Sequence, residues 1–302
     1  MALTLVVLAA GKGTRFGRLK QLEPVGPDGS ALMDYSAYDA LRSGATKVVL
    51  VVPPGEEARF GDHARQQLGA AAPVFTVSQR LDDLPAAFTV PADRTKPWGT
   101  GHALLSAAPL VEGAAVVANA DDSYGLSAFR LLVSHLERSH RIPTHGLVGY
   151  HVRRTLSQHG GVSRAVCTLD ADGYLMAVEE VREVQRTDDH YIEGRGESGQ
   201  VVRFSGDELV STGLWGFDAS LFPALHQAFA SFLTSSANDP KAEFLIGTGV
   251  EHHVSSGSAR LQVLPTDEEW FGMTFADDAP LVRAKIAELV ERGAYPEKLS
   301  VG

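Results

Sequence analysis

The chain has 302 residues, is 44% hydrophobic and 21% charged, and carries a formal net charge of −10. That balance suits a folded protein and argues against a general binder of nucleic acid or membrane surfaces, since either wants a basic face. The single cysteine, Cys167, leaves no intrachain disulfide to form; it reads as a small buried apolar residue and fits a reducing compartment.

The first apolar run, Thr4 to Ala10, has no basic leader before it, and no apolar stretch reaches the ~20 residues of a membrane span. A cytoplasmic protein is therefore expected. A glycine-rich, cationic loop follows, "LAAGKGTRFGRLKQ" at 8–21. Helical patterns at 31–44, 55–69 and 101–110 then alternate with apolar runs at Lys47–Val52, Val74–Ser78 and Ala114–Ala118. Near-continuous runs of this kind suit parallel strands buried on both faces, and Gly44 and Gly69 are helix stop signals. Strand and helix in alternation predict a Rossmann-like, doubly wound, mostly parallel α/β sheet with right-handed crossovers.

The pattern changes beyond about residue 135, where strand-like segments surround Asp172-Gly173, a hairpin turn signal. The stretch "QRTDDHYIEGRGESGQ", 185–200, reads as an exposed loop. Helical periodicity returns at 220–233 and 279–293. With no repeat, low-complexity tract or linker, one domain is expected over 1–302. Its first half spans 1–135; the half at 136–302 carries an antiparallel insertion and a closing helix.

In the first loop, Gly11 and Gly13 let backbone N–H groups approach an anion, while Arg15 and Lys20 supply charge. Phe16 stands where a dinucleotide fingerprint requires glycine, and no Gly-Lys-Ser/Thr completes a Walker A loop. The loop fits neither familiar cradle.

It resembles instead the signature of the sugar-1-phosphate nucleotidyltransferases, L-A-A-G-x-G-T-R-[FM] followed by lysine. Further segments resemble that family in order: "WGTGHALLSAAP", "VVANADDSYG", "GGVSRAVCTLDADGYLMAVEE", "STGLWGFD" and "EEWFGMTFADDAPLVRAKIAELVERGAYPEK". The resemblance implies attack by a sugar 1-phosphate oxygen on the α-phosphorus of an NTP, with pyrophosphate leaving. Such a nucleophile needs no general base, so catalysis reduces to in-line positioning and charge neutralisation, with a divalent cation, Mg²⁺, among the partners.

Residue by residue, the resemblance assigns Leu8, Ala10, Gly11, Gly13 and Thr14 to the nucleotide, Arg15 to the leaving phosphates and Lys20 to the α-phosphate. Gly99, Thr100 and Gly101 wrap the nucleobase, with Gln79 a further candidate, because Arg94 replaces the family's base-reading glutamine. His102 is either a phosphate contact or a helix-start residue packed on a loop. Asp121 matches the metal aspartate and Asp122 lies beside it; strand-end alternation lets only one of the two enter the site. Gly161, Glu179, Thr212 and Gly213 match sugar contacts, and Glu243 is a weaker candidate. Arg182 reaches a sugar phosphate only if its strand carries a bulge.

The chief departure is Gly272, where many relatives carry a second metal aspartate; Asp277 or Asp278 substitutes only through a different backbone path. His252 and His253 point about 100° apart on a helix and read as surface residues. Trp98, Trp215 and Trp270 read as packing residues before stacking platforms. Two other functions stay open: nucleotidyl transfer to an alcohol phosphate, since Lys20-Gln21 also suits cytidylyltransferases of that sort, and a non-catalytic nucleotide-sugar sensor, favoured by Gly272. No nucleic acid or membrane is expected as a partner, and a homo-oligomer is left open.

Overall fold

A computed structural model describes residues 1–11, 19–157, 160–187, 191–236, 239–273 and 278–301. Its strands are β1 (Leu3–Leu8), β2 (Lys47–Val52), β3 (Val74–Ser78), β4 (Ala114–Asn119), β5 (Asp122–Ser123), β6 (Thr144–His151), β7 (Val162–Leu169), β8 (Leu175–Arg186), β9 (Ile192–Arg195), β10 (Val201–Phe204), β11 (Leu209–Phe217), β12 (Arg260–Thr266) and β13 (Phe271–Gly272). Its helices are α1 (Leu32–Arg42), α2 (Glu57–Leu68), α3 (Thr100–Ala107), α4 (Leu126–Leu136), α5 (Leu221–Ser236), α6 (Ile246–Ser255) and α7 (Ala279–Glu291). None of the described helices is long and apolar enough to cross a membrane.

Strands β3, β2, β1 and β4 lie side by side and parallel. Their alternate residues feed two cores. Leu5 and Val7 face the side covered by α1, α2, α4 and α7, whereas Val6 faces α3, α5 and α6. Strands buried on both faces explain why these segments read as unbroken apolar runs. Gly44 and Gly69, at φ +109° and +104°, end α1 and α2 where their sequence signal falls.

Past β4 the sheet becomes antiparallel. β11 runs against β4 at Trp215–Phe217 and against β7 at Val210–Ser211, while its other edge pairs with β6. The register of β11 on β6 breaks between Ser211 and Trp215, so Thr212 and Gly213 occupy the fork where one edge passes from β7 to β4. β7 and β8 form the hairpin expected at Asp172-Gly173, with Gly173 N–H donating to Asp170 O at 3.2 Å.

Two sequence expectations are corrected here. The 185–200 stretch is not all loop: β9 pairs with β8 and β10, because Ile192 is buried and Gly194 lets the backbone close on Val181 and Val184, where an added Cβ would meet Val181 at 2.7 Å. His253 is not a surface residue. It is buried, and its Nδ1 lies 3.1 Å from His145 Nε2 on β6.

The protons of that pair follow from its partners. Asp218 N–H donates to His145 Nδ1 at 3.3 Å, so His145 carries its proton on Nε2 and donates to His253. Burial holds the His145 pKa down to about 4, from 6.5. Unfolded chains therefore bind a proton below pH 6.5 that the folded chain refuses until about pH 4, and stability falls across that window as pH is lowered. Relative to wild type, His145→Asn is expected to gain about 3 kcal/mol between pH 6.5 and 4 in urea unfolding. A pH-independent difference would refute this.

Candidate active site

The crevice of an open α/β sheet lies where crossovers leave in opposite directions, here between β1 and β4. Leu8, Ala10 and Gly11 leave the end of β1, and Asn119, Asp121 and Asp122 leave the end of β4 beside it. Gly11 O accepts a hydrogen bond from the buried Gln21 Nε2 at 2.7 Å, which ties the two ends of the glycine-rich loop together. Gly13, Thr14 and Arg15 lie outside the described residues.

Lys20 reaches across the crevice. Its Nζ forms an ion pair with the Asp121 carboxylate and lies 3.4 Å from Met273 O, while Met273 N–H donates to Asp121 O at 2.9 Å. Both charged side chains stay partly open, at 21% and 24% exposure, so they can exchange partners with a ligand. Three chain segments, 101 and 152 residues apart along the sequence, thus meet at one lysine.

Asp122 turns the other way, as strand alternation requires. Its Oδ2 accepts from Asn119 Nδ2 at 2.9 Å and from the Tyr124 hydroxyl at 3.1 Å. Burial, with the Asp121 charge next to it, pushes its pKa up to about 7. Of the two candidate metal residues, Asp121 alone is turned to the crevice, and Asp122 is committed to the interior. Asp122 also accounts for Gly272, which pairs with it across β5 and β13: a Cβ on residue 272 would stand 2.3 Å from Asp122 Oδ1. The position is glycine because a neighbour's carboxylate fills its side-chain space. Asp277 lies outside the described residues.

Among the residues expected to meet the nucleobase, a chain of hydrogen bonds assigns every proton. His102 is buried; its Nε2–H donates to Asp83 O at 2.9 Å, leaving Nδ1 to accept from Gln79 Nε2 at 3.2 Å. Gln79 Nε2 also donates to Gly99 O at 2.9 Å. Burial depresses the His102 pKa, in keeping with a neutral ring that braces Gln79 and does not carry charge toward a phosphate. Gln79 therefore spends both amide protons on the fold and retains only its Oε1 acceptor.

Gly99, at φ +104°, is required by the chain itself, since an added Cβ would lie 2.5 Å from Phe244 O; at Gly101 it would meet the Phe244 ring at 2.6 Å. Gly101 N–H donates to Phe244 O at 2.9 Å, and Thr100 Oγ1 accepts from Ile246 N–H at 3.2 Å, at the start of α6. Arg94 is also structural. It stacks on Trp98 at 3.5 Å and donates to the carbonyls of Pro97, Asp239 and Ala242. Trp98 is fully buried, with Nε1–H donating to Leu81 O. Trp215 stacks on Phe217 with ring centroids 5.8 Å apart, and Arg164 lies over Trp270 at 4.5 Å, so all three tryptophans have packing roles.

The acceptor-side candidates divide. Gly213, at φ +88°, faces Asn119: an added Cβ would stand 2.8 Å from Asn119 Nδ2. Beside it, the buried Thr212 Oγ1 has no hydrogen-bond partner among the described residues. These two adjoin the crevice. Gly161 and Glu179 lie out on the β7–β8 hairpin; Gly161 packs on the backbone of Glu183, and Glu179 receives Gln200 Nε2 at 3.4 Å. A bulge is present near Arg182, with Glu183 at φ +52° and the register slipping between Val162 and Arg164, yet Arg182 is 72% exposed beside Glu180. Glu243 pairs with Lys96 at 3.1 Å near the surface.

Sequence reasoning missed Asn119, Tyr124 and the Met273 carbonyl. Asn119 and Tyr124 both stood inside the quoted "VVANADDSYG"; Met273 acts through its carbonyl, which no residue type announces.

The fold is that of a nucleotidyltransferase. A solved structure, the inositol-1-phosphate CTP transferase from T. maritima, matches 94% of this chain and 96% of its own at a TM-score of 0.60 and 15% identity. The chain belongs to the family described as the MobA-like NTP transferase domain, whose model matches residues 5–164. No curated protein matches it in sequence.

Proposed function

We propose that the protein transfers a nucleotidyl group from an NTP to a sugar 1-phosphate, with residues 1–135 holding the nucleotide and 136–302 the acceptor. The observation that carries this reading is Lys20 against Asp121 at the mouth of the β1/β4 crevice, with the next residue, Gln21, tied to Gly11. Leu8, Ala10, Gly11, Gly13 and Thr14 supply the phosphate cradle, Arg15 meets the β- and γ-phosphates, and Lys20 leaves Asp121 for the α-phosphate as the nucleotide enters. An acceptor phosphate oxygen attacks the α-phosphorus; the bond to the bridging oxygen breaks, and that electron pair leaves with pyrophosphate. Lys20 and Arg15 oppose the charge gathering on those oxygens, where preorganised donors act most strongly.

Gln79, Gly99, Thr100 and Gly101 form the base side of this reading. Gln79 can only accept from the base, because both its amide protons are already used. Thr212, with its unpartnered hydroxyl, and Gly213 receive the acceptor, with Gly161 and Glu179 reaching it from the hairpin.

A hard divalent cation such as Mg²⁺ fits the oxygen donors present. Asp121 would hold it with phosphate oxygens completing the shell, the usual arrangement for Mg²⁺. Among the described residues no group of three His, Cys, Asp or Glu forms a cage; in this reading phosphate oxygens and water supply the other ligands. When bound, such an ion neutralises phosphate charge and screens Asp121 from the incoming anion.

A second acceptor class, a cyclitol or other alcohol phosphate, is favoured by the near full-length match to a protein titled inositol-1-phosphate CTP transferase. Pyrophosphate release, measured with each NTP against sugar 1-phosphates and alcohol phosphates, separates the two. Turnover with a sugar 1-phosphate supports the first, and turnover confined to alcohol phosphates replaces it with the second. Binding of nucleotide-sugar without any turnover identifies a sensor.

A further inference from the structure

Behind the Asp121 loop, α1, α4 and α7 enclose a cleft of about 430 Å³. That volume suits a small metabolite. One wall is formed by Ser123 and Phe271, which pair with each other across β5 and β13. The next pair along is Asp122 with Gly272, and Met273 then bonds Asp121. The cleft and the proposed catalytic residues thus share one two-stranded wall.

The charges around the cleft are unequally committed. All three carboxylates have partners: Glu268 accepts from Ser127 N–H and Oγ, Glu269 pairs with Lys285, and Glu288 pairs with Arg292. Arg42 and Arg130 also line it, from α1 and α4; both attract the buried Asp39 carboxylate through space, but neither makes an ion pair within 4 Å among the described residues. Arg42 touches only the face of Tyr38 among these contacts, at 5.2 Å. Tyr295 lines the same cleft, and its hydroxyl is held by Asp39 at 2.6 Å, so its ring is a fixed surface. Leu126, Leu289 and Ala294 add an apolar patch. Two guanidinium groups without a direct ion pair, beside an apolar patch, match a phosphate attached to an organic body.

We propose that this cleft is a second ligand site, binding a phosphorylated small molecule on Arg42 and Arg130 and acting on the Asp121–Met273 contact through the β5–β13 wall. Binding stands apart from the nucleotidyl-transfer reading; the action on Asp121 rests on it.

Inorganic phosphate is the probe, measured by equilibrium dialysis on the full chain. Wild type is expected to hold phosphate in two classes, one weakened by Lys20→Ala and the other weakened about tenfold or more by Arg42→Ala with Arg130→Ala. The paired lysine variant, Arg42→Lys with Arg130→Lys, retains most of the second class, which separates charge from disturbed packing. Equal phosphate uptake by wild type and the double alanine variant overturns the site, as does uptake that Lys20→Ala removes entirely. In the pyrophosphate assay, phosphate is expected to shift kcat in wild type and not in the double alanine variant. The same shift in both overturns the coupling while leaving the dialysis result to decide the site.

Discussion

Lys20→Ala is expected to lower kcat by about 10²–10³ while leaving thermal stability almost unchanged. The kinetic part follows from where charge develops: a fixed cation beside the α-phosphate is worth most when the bridging oxygen takes up its electron pair. The stability part follows from the exposure of the pair, 21% and 24%, since ion pairs this open to solvent contribute at most about 1 kcal/mol. Asp121→Asn should match it in kcat, and in addition raise the concentration of Mg²⁺ needed for half-maximal rate. Steady-state rates and melting curves on the same preparations check both parts. An unchanged kcat in Lys20→Ala would remove the lysine from the chemistry, whatever the ion pair looks like in the folded chain.

Gly99→Ala is expected to cause the largest loss of stability. At φ +104° an alanine is strained, and its Cβ would press on backbone, with Phe244 O at 2.5 Å and Phe244 N at 2.9 Å. A flexible side chain could yield; here the segment leading into α6 has to move. The combined strain and overpacking should cost about 3 kcal/mol. Denaturant unfolding measures it directly. If glycine were needed there solely for a nucleobase to approach, the variant would keep its stability and merely raise the KM for NTP. That pattern would reverse the assignment of this glycine to the packing of the fold.

The contrast at Gly99 shows what could be read from sequence and what could not. The parallel half was legible because its strands are buried on both faces and its helices end at glycines, so local pattern and final structure coincide from β1 through β4. The need for small residues at 99 and 101 was legible too, but its cause lay about 145 residues away in Phe244. Gly272 is the same lesson in reverse. As a sequence feature it looks like a lost metal ligand, whereas in the fold it makes room for the Asp122 carboxylate. His253 looked solvent-facing because its helix alone gives no reason for burial; β6 supplies that reason through His145. β9 was hidden because its pairing depends on Gly194 closing over Val181 and Val184, a contact that polar neighbours mask. In the site, Asp121 and Lys20 were both legible as residue types. Their contact was not, because it is made by the ends of β1 and β4 coming together.

The central claim is transfer at the α-phosphorus, and the fate of an α-³²P label on the NTP tests it most directly. With acceptor phosphate and Mg²⁺ present, the label should appear in a nucleotidyl–acceptor conjugate, with unlabelled pyrophosphate released in equal amount. Label recovered as nucleoside diphosphate, or left in intact NTP across the whole acceptor panel, would contradict the account.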